Sequence, residues 1–145
     1  MGIGNGGMSR RDFAKASAFA GFSILAAGAA RAQDSAEALK VGLIGCGGRG
    51  TGAAKNLIDG VDNVKITALA DAFEDKVRNC RHELEKIKDP KLRAKVAVTD
   101  EQVFVGMDAF DKLLKTDVQV VILATPPYAR PVHFEAAVNA GKHIF

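Results

Sequence analysis

Two cysteines, Cys46 and Cys80, are all the thiol chemistry in this chain. That is too few for a disulfide framework, and the pair lacks the spacing of a metal-ligating set. Cys46 reads as a small filler in a glycine-rich loop, and Cys80 as a core residue of a helix. Long apolar runs are lacking too. The mostly apolar stretch over residues 16–30 falls short of the roughly 20 residues that a membrane-spanning helix requires. The body of the chain also has no excess of positive charge. Of 20 basic and 17 acidic side chains, four basic ones (Arg10, Arg11, Lys15, Arg31) and one acidic one (Asp12) fall in residues 1–32. Sixteen of each sign remain, so no phosphate-tracking basic face is expected and nucleic acid is excluded as a partner. There is no internal repeat. What is left, with 48% apolar and 26% charged residues in a chain of 145, is the composition of one ordinary globular domain.

The first 32 residues stand apart from that domain. Ser9-Arg10-Arg11-Asp12-Phe13-Ala14-Lys15 precedes an Ala/Gly/Phe/Leu-rich run, and Ala30-Arg31-Ala32 offers the small-x-small pattern of a signal-peptidase site. The arginine pair resembles a twin-arginine export signal, with Ala14 where leucine is more usual. The reading is a signal peptide over 1–32, a linker over 33–39, and export to the periplasm or beyond. Met8 is an alternative start. An amphipathic N-terminal helix is the competing reading, but the run is apolar all round and has no polar face.

The fold is expected to begin at Lys40 and to be organised around Val41–Ile44 followed by Gly45-Cys46-Gly47-Gly48-Arg49-Gly50. A buried strand runs into glycines spaced G-x-G-x-x-G, and Ala53–Ile58 then reads as the start of a helix. These are the front parts of a dinucleotide-binding βαβ unit. Gly45 permits the sharp turn, Gly47 lets backbone N–H groups approach a pyrophosphate, and Gly50 lets helix and strand pack closely. A purely structural glycine turn is the alternative. Val64–Ala70 reads as a second strand ending at Asp71, 21 positions after Gly50. An acid near there accepts hydrogen bonds from the adenosine ribose and repels a 2′-phosphate, which favours NAD over NADP. A helix N-cap is the alternative role for Asp71, one its residue type also suits, but the spacing favours the ribose.

Phe73, Val77, Cys80, Leu84 and Ile87 form the apolar stripe of an amphipathic helix that Asp89-Pro90 ends. Lys95–Val98 reads as a brief third strand, with Phe104-Val105 in the connection after it. Asp108–Leu114 reads as a short helix with Asp108 as its N-cap. Val118–Ala124 is the strongest strand and stops at Thr125-Pro126-Pro127. A last helix runs from Pro131 to about Ala140 with Gly141 as its stop, and His143-Ile144-Phe145 starts a further apolar segment. Alternating strands and helices give an α/β fold, a doubly wound parallel sheet with helices on both faces.

As a set, the glycine loop, Ala70-Asp71, Ile122–Pro126 and Ala140-Gly141-Lys142-His143-Ile144 resemble the glucose–fructose oxidoreductase / inositol dehydrogenase / rhizopine-catabolism (Gfo/Idh/MocA) family. The likeness covers residues 40–145. It implies a nicotinamide cofactor, a Rossmann domain, and a second α/β domain supplying most sugar contacts. It places Gly45, Gly47, Gly48, Arg49 and Gly50 along the pyrophosphate and Asp71 at the ribose. Thr125, Pro126, Pro127 and Arg130 would lie near the nicotinamide half. Many relatives carry histidine where this chain has Arg130. His133, one helical turn on, is not an evident replacement, since a lone helical histidine is more often a packing residue. The family's Glu-Lys-Pro motif, whose lysine assists proton transfer, would follow the Gly-Lys-His segment, beyond Phe145. No catalytic residue is therefore assigned, and the Rossmann domain over 40–145 is expected to be incomplete.

The leading functional reading is the NAD-binding part of an exported oxidoreductase of sugars or cyclic polyols, homo-oligomeric at full length. A glycosidase-like relative, in which bound NAD oxidises and re-reduces the sugar, is the rival among enzymes. A non-catalytic nucleotide-binding module is the rival outside them.

Overall fold

The computed structural model describes residues 37–145. The expected leader and the first part of the linker lie outside the described residues. Five parallel strands form one sheet in the order β3-β2-β1-β4-β5. They are β1 (Leu39–Ile44), β2 (Val64–Asp71), β3 (Val103–Val105), β4 (Val120–Leu123) and β5 (His143–Ile144). The helices are α1 (Gly48–Gly60), α2 (Glu74–Glu85), the single turn α3 (Pro90–Arg93), α4 (Ala109–Leu114) and α5 (Arg130–Asn139). The strand order reverses at β1, which opens a crevice between the C-terminal ends of β1 and β4.

The central strands are buried because helices cover both faces, so β1 reads as a continuous apolar run. On one face Val41, Leu43, Ile66 and Leu69 pack against Ala54 and Ile58 of α1 and Val77, Cys80 and Leu84 of α2. On the other, Ile44, Ala68, Ala70 and Val121 pack against Leu113 of α4 and Ala137 of α5. The β2 pattern breaks its own alternation: Val64, Ile66 and Leu69 share one face, whereas Ala68 and Ala70 share the other. A bulge explains this. Val41 pairs with Ile66 and Gly42 with Ala68, leaving Thr67 as an extra residue in the ladder.

Several sequence expectations are corrected. The third strand is Val103–Val105, not Lys95–Val98; Val96 makes one isolated bridge to Ile66. Lys95 is held elsewhere: its Nζ donates to the carbonyls of Ile58 and Val61 at 2.8 and 2.7 Å and so closes the C-terminal end of α1. Helix α1 begins at Gly48, five residues before Ala53, because its first turn is built from glycine and its propensity signal is weak. Phe73 is not part of the α2 stripe. It sits at the N-cap position, 64% exposed. Pro90 does not terminate α2, which ends at Glu85; it opens α3, where Asp89 accepts a hydrogen bond from the Lys91 amide at 2.8 Å. Asp108 does occupy the N-cap position of α4, but its side chain caps nothing and pairs with Lys112 instead. The final apolar segment pairs with Val120 and Val121 as β5, making β4 an interior strand.

Candidate functional site

The chain leaves β1 through a turn that only glycine fits. Gly45 has φ +99°, and a Cβ there would lie 2.7 Å from the carbonyl carbon and oxygen of Ala124 at the end of β4. A Cβ on Gly50 would lie 1.8 Å from the Gly45 carbonyl oxygen. Gly50 is therefore buried beneath the turn and sets the closeness of helix and strand. Gly47 and Gly48 behave differently. A Cβ on either meets nothing within 4 Å, so these two positions open onto free space.

Gly47 is the N-cap of α1 with no side-chain cap, and Thr51 N–H is the first amide to find an intrahelical carbonyl, that of Gly47. The amides of Gly48, Arg49 and Gly50 thus lack intrahelical acceptors at the positive end of the helix dipole. An anion placed there would be met by backbone donors with no side chain in the way.

Asp71 is tied to this turn. Its Oδ2 accepts a hydrogen bond from Cys46 N–H at 2.6 Å, and its Oδ1 accepts one from Phe73 N–H at 3.0 Å. It does not cap α2, whose N-cap is Phe73. Each carboxylate oxygen keeps a lone pair for a further donor, and the residue is half-buried at the rim of a cleft.

That cleft, of about 430 Å³, lies over the C-terminal ends of β1 and β2 on the α4/α5 side. Gly45, Gly47, Asp71, Thr125 and Pro126 line it. The sequence reading missed its apolar end, formed by Phe73, Met107, Phe110, Tyr128 and His133. The His133 ring packs on Phe110 with centroids 4.2 Å apart, and burial lowers its pKa and favours the neutral imidazole. The hydroxyl of Thr125, a residue only 6% exposed, and Nδ1 of His133 have no hydrogen-bond partner among the described residues. Phe73, Phe110 and His133 come from three separate segments, and no local pattern marks that convergence.

A second cleft, of about 670 Å³, lies across the glycine turn on the α1 side of β4. Gly48, Arg49 and Arg130 line it, together with Leu123, Ala124 and Phe145. Arg130 donates through Nη2 to the Thr125 carbonyl at 2.7 Å and so braces the Thr-Pro turn. Pro127 is exposed and lines neither cleft. The ten sequence-predicted residues thus divide: five border the first cleft, three border the second, Gly50 supports the turn, and Pro127 stands outside.

The arrangement fits a dinucleotide. Two clefts meet at a helix N-terminus with unpaired amides, and a carboxylate stands at the rim of one of them. A ligand with a central pyrophosphate and two ribosyl arms could place the phosphates at Gly47 and Gly48 and one arm in each cleft.

Comparison with known proteins agrees with this geometry. A "Glycosyl hydrolase family 109 protein" of Solibacter usitatus is 32% identical over 148 residues, covering 94% of this chain and 32% of that protein. Apo scyllo-inositol dehydrogenase from Lactobacillus casei superposes with a TM-score of 0.57 at 24% identity, over 75% of this chain and 28% of that one. A 3-ketoreductase from Actinomadura kijaniata, solved with NADP, gives 0.52 at 20% identity, over 74% of this chain and 29% of that one. The chain therefore spans about a third of the curated relative and just over a quarter of these solved structures. Residues 39–145 match the family described as an oxidoreductase family with an NAD-binding Rossmann fold. The chain belongs to the Gfo/Idh/MocA oxidoreductase family and carries that family's NAD-binding Rossmann fold.

Proposed function

We propose that this chain is the cofactor-binding part of an exported, NAD-dependent oxidoreductase that acts on a sugar or cyclic polyol. The observation that carries the reading is the link between Asp71 and the glycine turn, which puts a carboxylate beside the open helix N-terminus. In this reading Gly47, Gly48 and Arg49 hold the pyrophosphate, and Asp71 accepts hydrogen bonds from the adenosine ribose. Phe73, Phe110 and His133 enclose the base in the apolar end of the first cleft. Thr125 and Pro126 line that same cleft, and Arg130 borders the second, which takes the other half of the cofactor. The nicotinamide supplies the hydride chemistry when bound; the protein supplies position and electrostatics.

The preference for NAD rests on charge, because the Asp71 carboxylate would face a 2′-phosphate at the ribose. Isothermal titration of the chain with NAD and NADP tests the assignment. Asp71→Ser should weaken NAD binding by about ten- to a hundredfold, the equivalent of one charge-assisted hydrogen bond of about 1.5–3 kcal/mol. It should also narrow the gap to NADP. An unchanged preference would remove Asp71 from the ribose site.

Export rests on Arg10-Arg11 and Ala30-Arg31-Ala32. With both arginines changed to lysine, cell fractionation should find the unprocessed chain in the cytoplasm. Processed protein outside it would refute the twin-arginine route.

A glycosidase is the second reading, favoured by the curated relative named as a glycosyl hydrolase. There the cofactor would be reduced and reoxidised within one turnover. In a full-length version, substrate-dependent NADH accumulation supports the dehydrogenase. Glycoside cleavage without it supports the glycosidase.

A further inference from the structure

Three large apolar side chains stand in solvent around the mouth of the first cleft. Phe73 follows β2, Met107 follows β3 and Tyr128 follows β4, and all three line the cleft. Met107 is 82% exposed, Tyr128 is 84% exposed, and Phe73 is exposed as well. The backbones beneath them are pinned. Phe73 N–H donates to Asp71 Oδ1 at 3.0 Å, and the amide of Gly106, next to Met107, donates to the Asp71 carbonyl at 3.0 Å. The amides of Ala129 and Arg130 both donate to the Pro126 carbonyl at 3.1 Å and close the turn that carries Tyr128. Rotation about their own side-chain bonds is the movement left to the three residues. A single exposed apolar side chain is ordinary on a protein surface, but three from separate loops around one concave site mark a binding surface.

We propose that Phe73, Met107 and Tyr128 close over the base of the bound dinucleotide, with Tyr128 stacked on it, and hold a purine by its faces rather than its edges. The inference rests on the cofactor reading above and states how that site recognises the base. The occupant follows from its neighbours. Asp71, placed at the ribose, anchors the backbone at Phe73 and beside Met107, so the group joined to that ribose lies within their reach. A flat heterocycle offers two π faces to aromatic rings and a thioether, and stacking of this kind tolerates any base. Reading an edge would need polar atoms turned toward it. Phe73 has none, and a stacked Tyr128 keeps its hydroxyl in the plane of its own ring. The two unpartnered polar atoms of the cleft wall, Thr125 Oγ1 and His133 Nδ1, are buried and closed to a ligand. Adenine and hypoxanthine, which differ along one edge, are therefore held alike.

Tyr128 is the single tyrosine of the chain, which has no tryptophan, so its emission reports the clamp directly. The test titrates the full chain with AMP, IMP, nicotinamide mononucleotide and NAD. Tyrosine fluorescence and calorimetric heat are followed together, with free tyrosine as the control for absorption by the base. AMP, IMP and NAD should each quench the emission, and the affinities of AMP and IMP should agree within about threefold. Nicotinamide mononucleotide, which has no purine, should leave the emission unchanged. Tyr128→Ala should weaken AMP binding by about tenfold, the worth of one stacked base, and Tyr128→Phe should keep it. NAD that binds by calorimetry without quenching would overturn the clamp and leave the cofactor reading standing. AMP bound more than about tenfold tighter than IMP, the mark of an edge hydrogen bond, would overturn recognition by faces. Emission that changes with protein concentration and not with AMP would give the patch to a second copy of the chain and overturn the proposal. Quenching by AMP and IMP, with NAD bound no more tightly than AMP, would support the clamp and defeat the dinucleotide reading. Binding of none of the four would overturn both.

Discussion

At the scale of single residues, the glycines of the fingerprint do different work, and the difference is measurable. Gly50→Ala forces a methyl group against the Gly45 carbonyl, where backbone faces backbone and neither can give way. It should cost upwards of about 3 kcal/mol in chemical denaturation. Gly47→Ala meets open space and an ordinary φ of −68°, so its cost should stay below about 1 kcal/mol, that of a weaker N-cap. NAD affinity should nevertheless fall by at least about tenfold, because the methyl group occupies the approach to the helix N-terminus. Equal stability losses for the two variants would erase the distinction. The glycine spacing and Asp71 were legible in the sequence because their chemistry is local. Phe73, Phe110 and His133 were not, since an aromatic wall drawn from three segments has no sequence period. Phe73 was even counted as core, because its spacing matched a helix that in fact starts one residue later.

At the scale of elements, the buried strands and most helices followed from apolar runs and periodicity, and the third strand did not. Lys95–Val98 and Val103–Val105 have similar composition, and the choice between them is made by tertiary contacts. Lys95 reaches back to α1, its side chain only 14% exposed, and supplies the hydrogen bonds that the last carbonyls of that helix otherwise lack. Lys95→Met keeps the apolar stem and removes the charged donor. It should lower unfolding free energy by about 1.5–3 kcal/mol, the usual worth of hydrogen bonds from a charged group. Amide exchange should quicken in the last turn of α1 while α2 stays protected. A uniform change across the domain would mean that Lys95 acts through the fold as a whole rather than through the end of α1.

At the scale of the whole molecule, the two clefts are chemically unequal. The first carries a carboxylate, a histidine and an aromatic wall. The second, across the glycine turn, is lined among the described residues by two arginines, one asparagine and apolar or glycine positions. None of these accepts a proton near neutral pH. The 145-residue chain should therefore bind NAD without producing NADH from any member of a panel of sugars and polyols. NADH formed in proportion to added sugar would show that a proton acceptor is present after all. One detail of the sheet bears on the reach between these parts. Thr67 is the one surplus residue of β2, and it accounts for one of the 21 steps from Gly50 to Asp71. Because the residues on either side already alternate as an unbroken strand would, excising Thr67 turns no side chain over. Asp71 would stay on its own side of the sheet and at its own place beside the turn, with one residue fewer between them. The chain thus holds a point where its length can change by one without any change of face, a place for a deletion that the fold is already arranged to accept.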